Sequence, residues 1–203
     1  MIFLKIIGLC GGSGSGKGEV CRAFSLLGIP SIDTDAVYHE IISHPSDCLR
    51  DLAAAFGDDI IKDGALDRKV LASRVFGAKD SPDKCKVLNS ITHKYVLDEV
   101  RKKLSLLSKR GYVAALVDAP LLFESGFNRE CDMVIAVLAD TELRIQRIIS
   151  RDNITAEQAA SRIRAQRSDE WLHAHADRII TNNTDIEDLT RQVVEIYKTI
   201  INL

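Results

Sequence analysis

The sequence predicts an α/β fold, a parallel five-stranded sheet flanked by helices with two helical excursions, and three observations lead there. Apolar runs of strand length alternate with helical spacings, the pattern of a parallel sheet covered on both faces. The first run passes through a glycine-rich turn directly into a helix. Two long helical stretches interrupt the alternation, one after the second strand and one after the fourth.

Taken in order, Ile2 to Leu9 is apolar except for Lys5 and Gly8, which suits a strand buried on both faces. Gly18 to Leu27 places Val20, Phe24 and Leu27 at helical spacing, and Gly28-Ile29-Pro30 stops that helix. Ser31-Ile32 is a short second strand ending at Asp33. From there to about Arg110 the pattern is helical, at 34–43, 46–56, 67–76 and 83–109, with no strand expected. Gly111 punctuates, and Tyr112 to Val117 reads as a buried strand ending at Asp118. Met133 to Leu138 is the fourth strand, a polar helical stretch covers roughly 141–170, and Arg178 to Ile180 is the fifth strand. The chain ends in an amphipathic helix, Asp185 to Ile201, with Ile186, Leu189, Val193, Ile196 and Ile200 along one face.

With 203 residues the chain can bury one sizeable core and carry an inserted subdomain. A net charge of -2 gives no support to a general nucleic-acid surface. The five cysteines are odd in number and scattered, without a CxxC pair or zinc spacing, so a reducing, cytoplasmic setting is expected. The apolar start is nine residues long, too short to span a membrane, and it lacks a cleavage site. Neither a nucleic acid, nor a membrane, nor an obligate protein partner is expected.

The segment Gly11-Gly12-Ser13-Gly14-Ser15-Gly16-Lys17 carries the chemistry. Between a strand and a helix, such a loop turns successive backbone N–H groups inward and makes an anion nest at a helix N-terminus. Lys17 adds a point charge for the β- and γ-phosphates. A flexible linker would join domains, whereas this loop lies nine residues from the start between strand and helix. The motif is incomplete, because its usual last residue is Ser or Thr, whose hydroxyl binds Mg²⁺, and here it is Gly18. Glu19 is a poor substitute, since it points about 100° away around the helix. Magnesium is therefore expected on nucleotide oxygens, water and a carboxylate elsewhere.

Asp33-Thr34-Asp35 closes the second strand, where ligands gather at the carboxyl ends of a parallel sheet. Asp33 can accept the proton of an attacking hydroxyl during phosphoryl transfer, and it can also cap the next helix. Asp118 ends the third strand, a position from which other phosphate-loop enzymes hold Mg²⁺. Arg144, Arg147 and Arg151 share one helical face, and Arg162, Arg164 and Arg167 follow. An isolated charge run of this kind is a solvated face. With a phosphate loop upstream, Arg147 and Arg151 become the candidates to neutralise the transferring group.

Several segments in this order resemble the dephospho-CoA kinase family over nearly the whole chain. They are Gly8 through Lys17, Ile32-Asp-Thr-Asp35, Gly64-Ala-Leu-Asp-Arg68 with Val75-Phe76, and Leu88-Asn-Ser-Ile-Thr-His93. Pro120-Leu-Leu-Phe-Glu124, Arg151-Asp-Asn and Ala176-Asp-Arg-Ile-Ile-Thr-Asn-Asn183 complete the set. The resemblance implies ATP as co-substrate with Mg²⁺, dephospho-CoA as acceptor, and transfer of the γ-phosphate to its ribose 3′-hydroxyl. It implies a nucleotide-binding core at 1–32, 111–140 and 175–203, a helical acceptor domain at 33–110 and a lid at 141–174. Asp33 matches the family's base, and Lys17, Arg147 and Arg151 match its other catalytic positions. Gly12, Ser13, Gly14, Ser15, Gly16, Gly18, Glu19 and Asn182 fall on ATP-binding positions. Asp35, Arg68, His93, Pro120, Leu121 and Glu124 fall on the acceptor site, while Asp118 is a candidate metal ligand from its strand end alone. The chain departs from the family pattern at Ser13 (usually aliphatic), Gly18, Glu19 and Lys94. A kinase for another small acceptor would share the loop, base and lid, and a nucleotide-binding regulator without turnover would fit the loss of the hydroxyl at Gly18.

Overall fold

In a computed structural model that describes residues 4–76 and 81–202, the chain opens with strand β1 (Lys5–Cys10) and helix α1 (Lys17–Leu26). Strand β2 (Ser31–Asp33) follows, and Asp33 caps α2 (Thr34–Ile42) by accepting hydrogen bonds from the Asp35 and Ala36 N–H groups. Helix α3 (Asp47–Phe56) starts at Ser46, whose hydroxyl accepts from the Leu49 N–H at 3.3 Å. A hairpin of two short strands, β3 (Ile61–Lys62) and β4 (Ala65–Leu66), then corrects the expectation of a strand-free segment. Its turn is Asp63-Gly64, both at positive φ, the combination that tight hairpins require. Two-residue strands leave no periodicity to read. Helix α4 (Arg68–Phe76) begins where Asp67 accepts from the Lys69 and Val70 N–H groups. The long α5 (Ser81–Lys109) completes this helical region.

Strands β5 (Ala114–Asp118) and β6 (Met133–Leu138) are almost wholly buried, as continuous apolar runs in a doubly covered sheet should be. The polar helical stretch expected at roughly 141–170 holds three helices: α6 (Thr141–Asp152), α7 (Ala156–Arg164) and α8 (Asp169–His175). Asn153 adopts a left-handed conformation that ends α6, and the reciprocal Thr155–Gln158 capping box starts α7. Ser168 caps α8, after which β7 (Arg178–Thr181) and α9 (Ile186–Asn202) close the fold. The five-stranded sheet runs β2–β5–β1–β6–β7, with β1 at its centre, parallel to both β5 and β6. Among the described residues no helix is long and apolar enough to cross a membrane.

Two compact units result, one running to Ile32 and resuming at Leu104, the other spanning Asp33–Lys103. The first is built around Ile7, Leu9, Phe24, Leu116, Ile135 and Val193, contributed by the sheet, α1 and α9. The second packs Leu49, Leu52, Phe56, Ile60, Leu71 and Val75 together, and the Tyr95 hydroxyl on α5 donates to Asp51 of α3.

Candidate active site

Strand β1 delivers the chain to the phosphate loop, and Gly16 at φ 93° turns it into α1. Lys17, the first residue of that helix, donates to the Gly11 carbonyl at 3.2 Å and lies 3.9 Å from Asp118 Oδ1 at the end of β5. The sulfur of Cys21, one turn along α1, sits 3.9 Å from the other Asp118 oxygen. Beneath the loop, burial first of all pushes the Cys10 thiol up to about 12, with Lys17 opposing that shift. The Ser15 hydroxyl is buried, its residue 1% exposed, and has no hydrogen-bond partner among the described residues.

The loop is gripped through its carbonyls. Arg144 of α6, 3% exposed, donates from Nε to the Ser13 carbonyl at 3.0 Å and pairs with Asp169 of α8 at 3.1 Å. Gln166 accepts from the Ser13 N–H at 2.8 Å and donates to the Ser13 hydroxyl at 3.2 Å, so the residue standing where an aliphatic is usual makes a polar tie. Arg147 bridges the Gly14 and Asn182 carbonyls, at 3.2 and 3.1 Å. The Asn182 amide, itself buried, donates to the Ser15 carbonyl at 2.9 Å. These approaches explain the glycines better than flexibility does. A β-carbon on Gly12 would overlap the Arg144 guanidinium, and one on Gly16 would overlap the Asn182 amide.

A cavity of about 270 Å³ opens beside Gly11 and Gly12. Pro120, Leu121 and Glu124 form one wall, and Gln166 and Arg167 form another. Arg167 donates from Nε to Glu124 at 2.8 Å, and its guanidinium lies 4.2 Å from the centre of the Trp171 ring. Phe123 meets Trp171 edge-on at 4.9 Å, while His175 stacks on it at 3.8 Å.

In the unit spanning Asp33–Lys103, Asp33 and Asp35 both lie exposed at the start of α2. The Asp33 Oδ1 caps that helix, at 2.8 Å from the Asp35 nitrogen and 3.2 Å from Ala36. Arg68 contacts His39 Nδ1 through a side-chain hydrogen bond. The neighbouring Tyr38 phenol is pushed up by burial first and by Cys48 next, with Arg68 opposing. His93 is half-buried on α5.

Not every predicted residue faces the loop. Glu19 pairs with Arg22 at 2.9 Å, and Arg151 forks onto Asp152 at 2.7 and 2.9 Å. Arg151 first, joined by Arg162, holds the Asp152 carboxyl down at about 2. Sequence reasoning named Arg144 and Arg167 only as members of the basic run, with Arg147 and Arg151 preferred, and missed Gln166 and Asp169, for which no local signal exists.

For a metal, the residues present offer one carboxylate, Asp118, next to Lys17. No group of three His, Cys, Asp or Glu side chains able to hold a metal occurs among the described residues. That donor set fits Mg²⁺, which keeps water and substrate phosphates and asks for one or two carboxylates.

A family model described as dephospho-CoA kinase matches residues 5–188. A dephospho-CoA kinase of Corynebacterium glutamicum is 35% identical over 197 residues, 97% of each chain. Another, from Carboxydothermus hydrogenoformans, is 36% identical over 98% of this chain and 95% of its own. The solved structure of the dephospho-CoA kinase from Campylobacter jejuni superposes with a TM-score of 0.70 at 26% identity, covering 98% of both chains.

Proposed function

The chain belongs to the dephospho-CoA kinase family, ATP-dependent enzymes of the last step of coenzyme A synthesis, and we propose that its own residues divide that reaction as follows. The phosphate loop binds the β- and γ-phosphates through its N–H groups, and Lys17 neutralises their charge. The ribose 3′-hydroxyl of dephospho-CoA attacks the γ-phosphorus, so an O–P bond forms there and the bond to the β,γ-bridging oxygen breaks. ADP leaves with that oxygen. The hydroxyl proton passes to Asp33, whose orientation is supported by the two N–H groups held on Oδ1. Asp35, Arg68, His93, Pro120, Leu121 and Glu124 are assigned to acceptor binding by their positions in the family pattern.

Residues 141–174, which hold α6, α7 and all but the last residue of α8, act as the lid. Arg147 shapes the loop from behind, which the Gly14 contact supports, and Arg151 reaches phosphate only by leaving Asp152. Asp118 would hold Mg²⁺, which when bound supplies charge neutralisation across the phosphates. A cytoplasmic setting is supported by the absence of disulfides among the described residues.

The observation that carries this reading is Lys17 at the head of α1, behind a loop gripped through the carbonyls of Ser13, Gly14 and Ser15. The test is ADP release from MgATP with dephospho-CoA, adenosine or AMP as acceptor. Release that depends on dephospho-CoA, with coenzyme A as product, is expected. Release with adenosine or AMP instead would assign a different acceptor, and binding without any release would make the protein a regulator.

A further inference from the structure

We propose that Arg167 contacts the γ-phosphate of the bound nucleotide, held ready on Glu124 until the phosphate arrives. The inference rests on the kinase reading above and adds a residue to it.

Four observations converge on Arg167. Among the residues lining the cavity beside Gly11 and Gly12, it is the sole cation and Glu124 the sole anion. Of the other arginines, Arg144 and Arg147 grip loop carbonyls, Arg151 and Arg162 are held on Asp152, and Arg164 does not line this cavity. Among the described residues Arg167 donates a hydrogen bond through Nε alone, which leaves both terminal nitrogens to donate to phosphate oxygens. Its side chain is 48% exposed and that of Glu124 33%, so the ion pair is weakly held against a more highly charged anion.

Trp171 gives the side chain its fixed direction. With its guanidinium carbon over the indole face, 4.2 Å from the ring centre, the side chain has fewer positions open to it. That arrangement limits the entropy lost when phosphate is bound. The exchange breaks no covalent bond: Glu124 gives up one hydrogen bond to water, and the phosphate oxygens gain one or two.

Trp171 is the single tryptophan of the chain and touches Arg167, so the test has its own reporter. The affinities of ADP and of a non-hydrolysable ATP analogue are measured by Trp171 emission and by calorimetry, without any acceptor. In Arg167→Ala, affinity for the analogue should fall at least fivefold while that for ADP stays within twofold, and Arg167→Lys should recover part of the loss. A smaller fall, or an equal loss for both nucleotides, overturns the proposal. Because no acceptor enters, a protein that phosphorylates something other than dephospho-CoA still answers the question about Arg167.

Discussion

Arg144 and Arg151 lie seven positions apart on one helix, and their replacement by alanine should have very different consequences. Arg144→Ala removes three hydrogen bonds from a side chain that is 3% exposed. Removing one partner of a buried pair costs about 3–5 kcal/mol, and a carbonyl left unsatisfied costs about 1–3 kcal/mol. Asp169 is 34% exposed and regains water when its partner goes, which keeps the sum near the lower end, about 4 kcal/mol. With an unfolding slope of about 3 kcal/mol per molar urea, the midpoint should fall by about 1.3 M. Arg151 is 61% exposed on its side chain, and loss of its surface pair should move the midpoint by less than about 0.3 M. Urea unfolding followed by Trp171 emission compares the two variants in the unit that contains both. Equal shifts, or an Arg144→Ala shift below about 0.5 M, would refute the view that a buried charge anchors the phosphate loop.

Asp33→Asn should lower turnover by at least about a hundredfold with ATP affinity nearly unchanged, read from steady-state rates beside nucleotide binding; near-normal turnover would remove Asp33 as base. Gly18→Ser places its β-carbon where nothing lies within 4 Å, so the variant should fold and tighten apparent Mg²⁺ affinity by about threefold to tenfold. Calorimetry of Mg²⁺ with an ATP analogue, alongside rates, would show whether that hydroxyl matters; an unchanged value means the metal is held without it. Burial raises the thiols of Cys10 and Cys131 from 9.0 to about 12 and that of Cys48 to about 11. Well below pH 9 all three are neutral in either state, so they leave stability unchanged. As pH rises from 9 toward those folded values the unfolded chain alone ionises, and stability should fall. Urea midpoints at pH 8 and 10.5 check this; a higher midpoint at pH 10.5 would contradict the burial.

What the sequence disclosed depended on how local each feature is. The loop was legible because its glycines, Lys17 and flanking elements are contiguous, and β5 because four apolar residues in a row admit few alternatives. The grip on the loop was not legible, since Arg144 reaches back 131 positions and Gln166 reaches back 153. Spacing placed Arg147 and Arg151 on one face but gave no sign that one would hold carbonyls while the other met Asp152. The β3–β4 hairpin escaped because its strands hold two residues each, although Asp63-Gly64 announced the turn. Asp33 fulfils its capping reading, with its side chain accepting the Asp35 and Ala36 N–H groups.

The central place of β1 has a consequence for the order in which the molecule is made. Strand β1 has no strand partners until residues 114–118 and 133–138 have followed it, and the loop after it has no clamp until Arg144, Gln166 and Asn182 exist. At typical synthesis rates that is a wait of roughly 10–35 s, in the course of which residues 33–103 also emerge. The segment that grips phosphate, made early, therefore matures among the last.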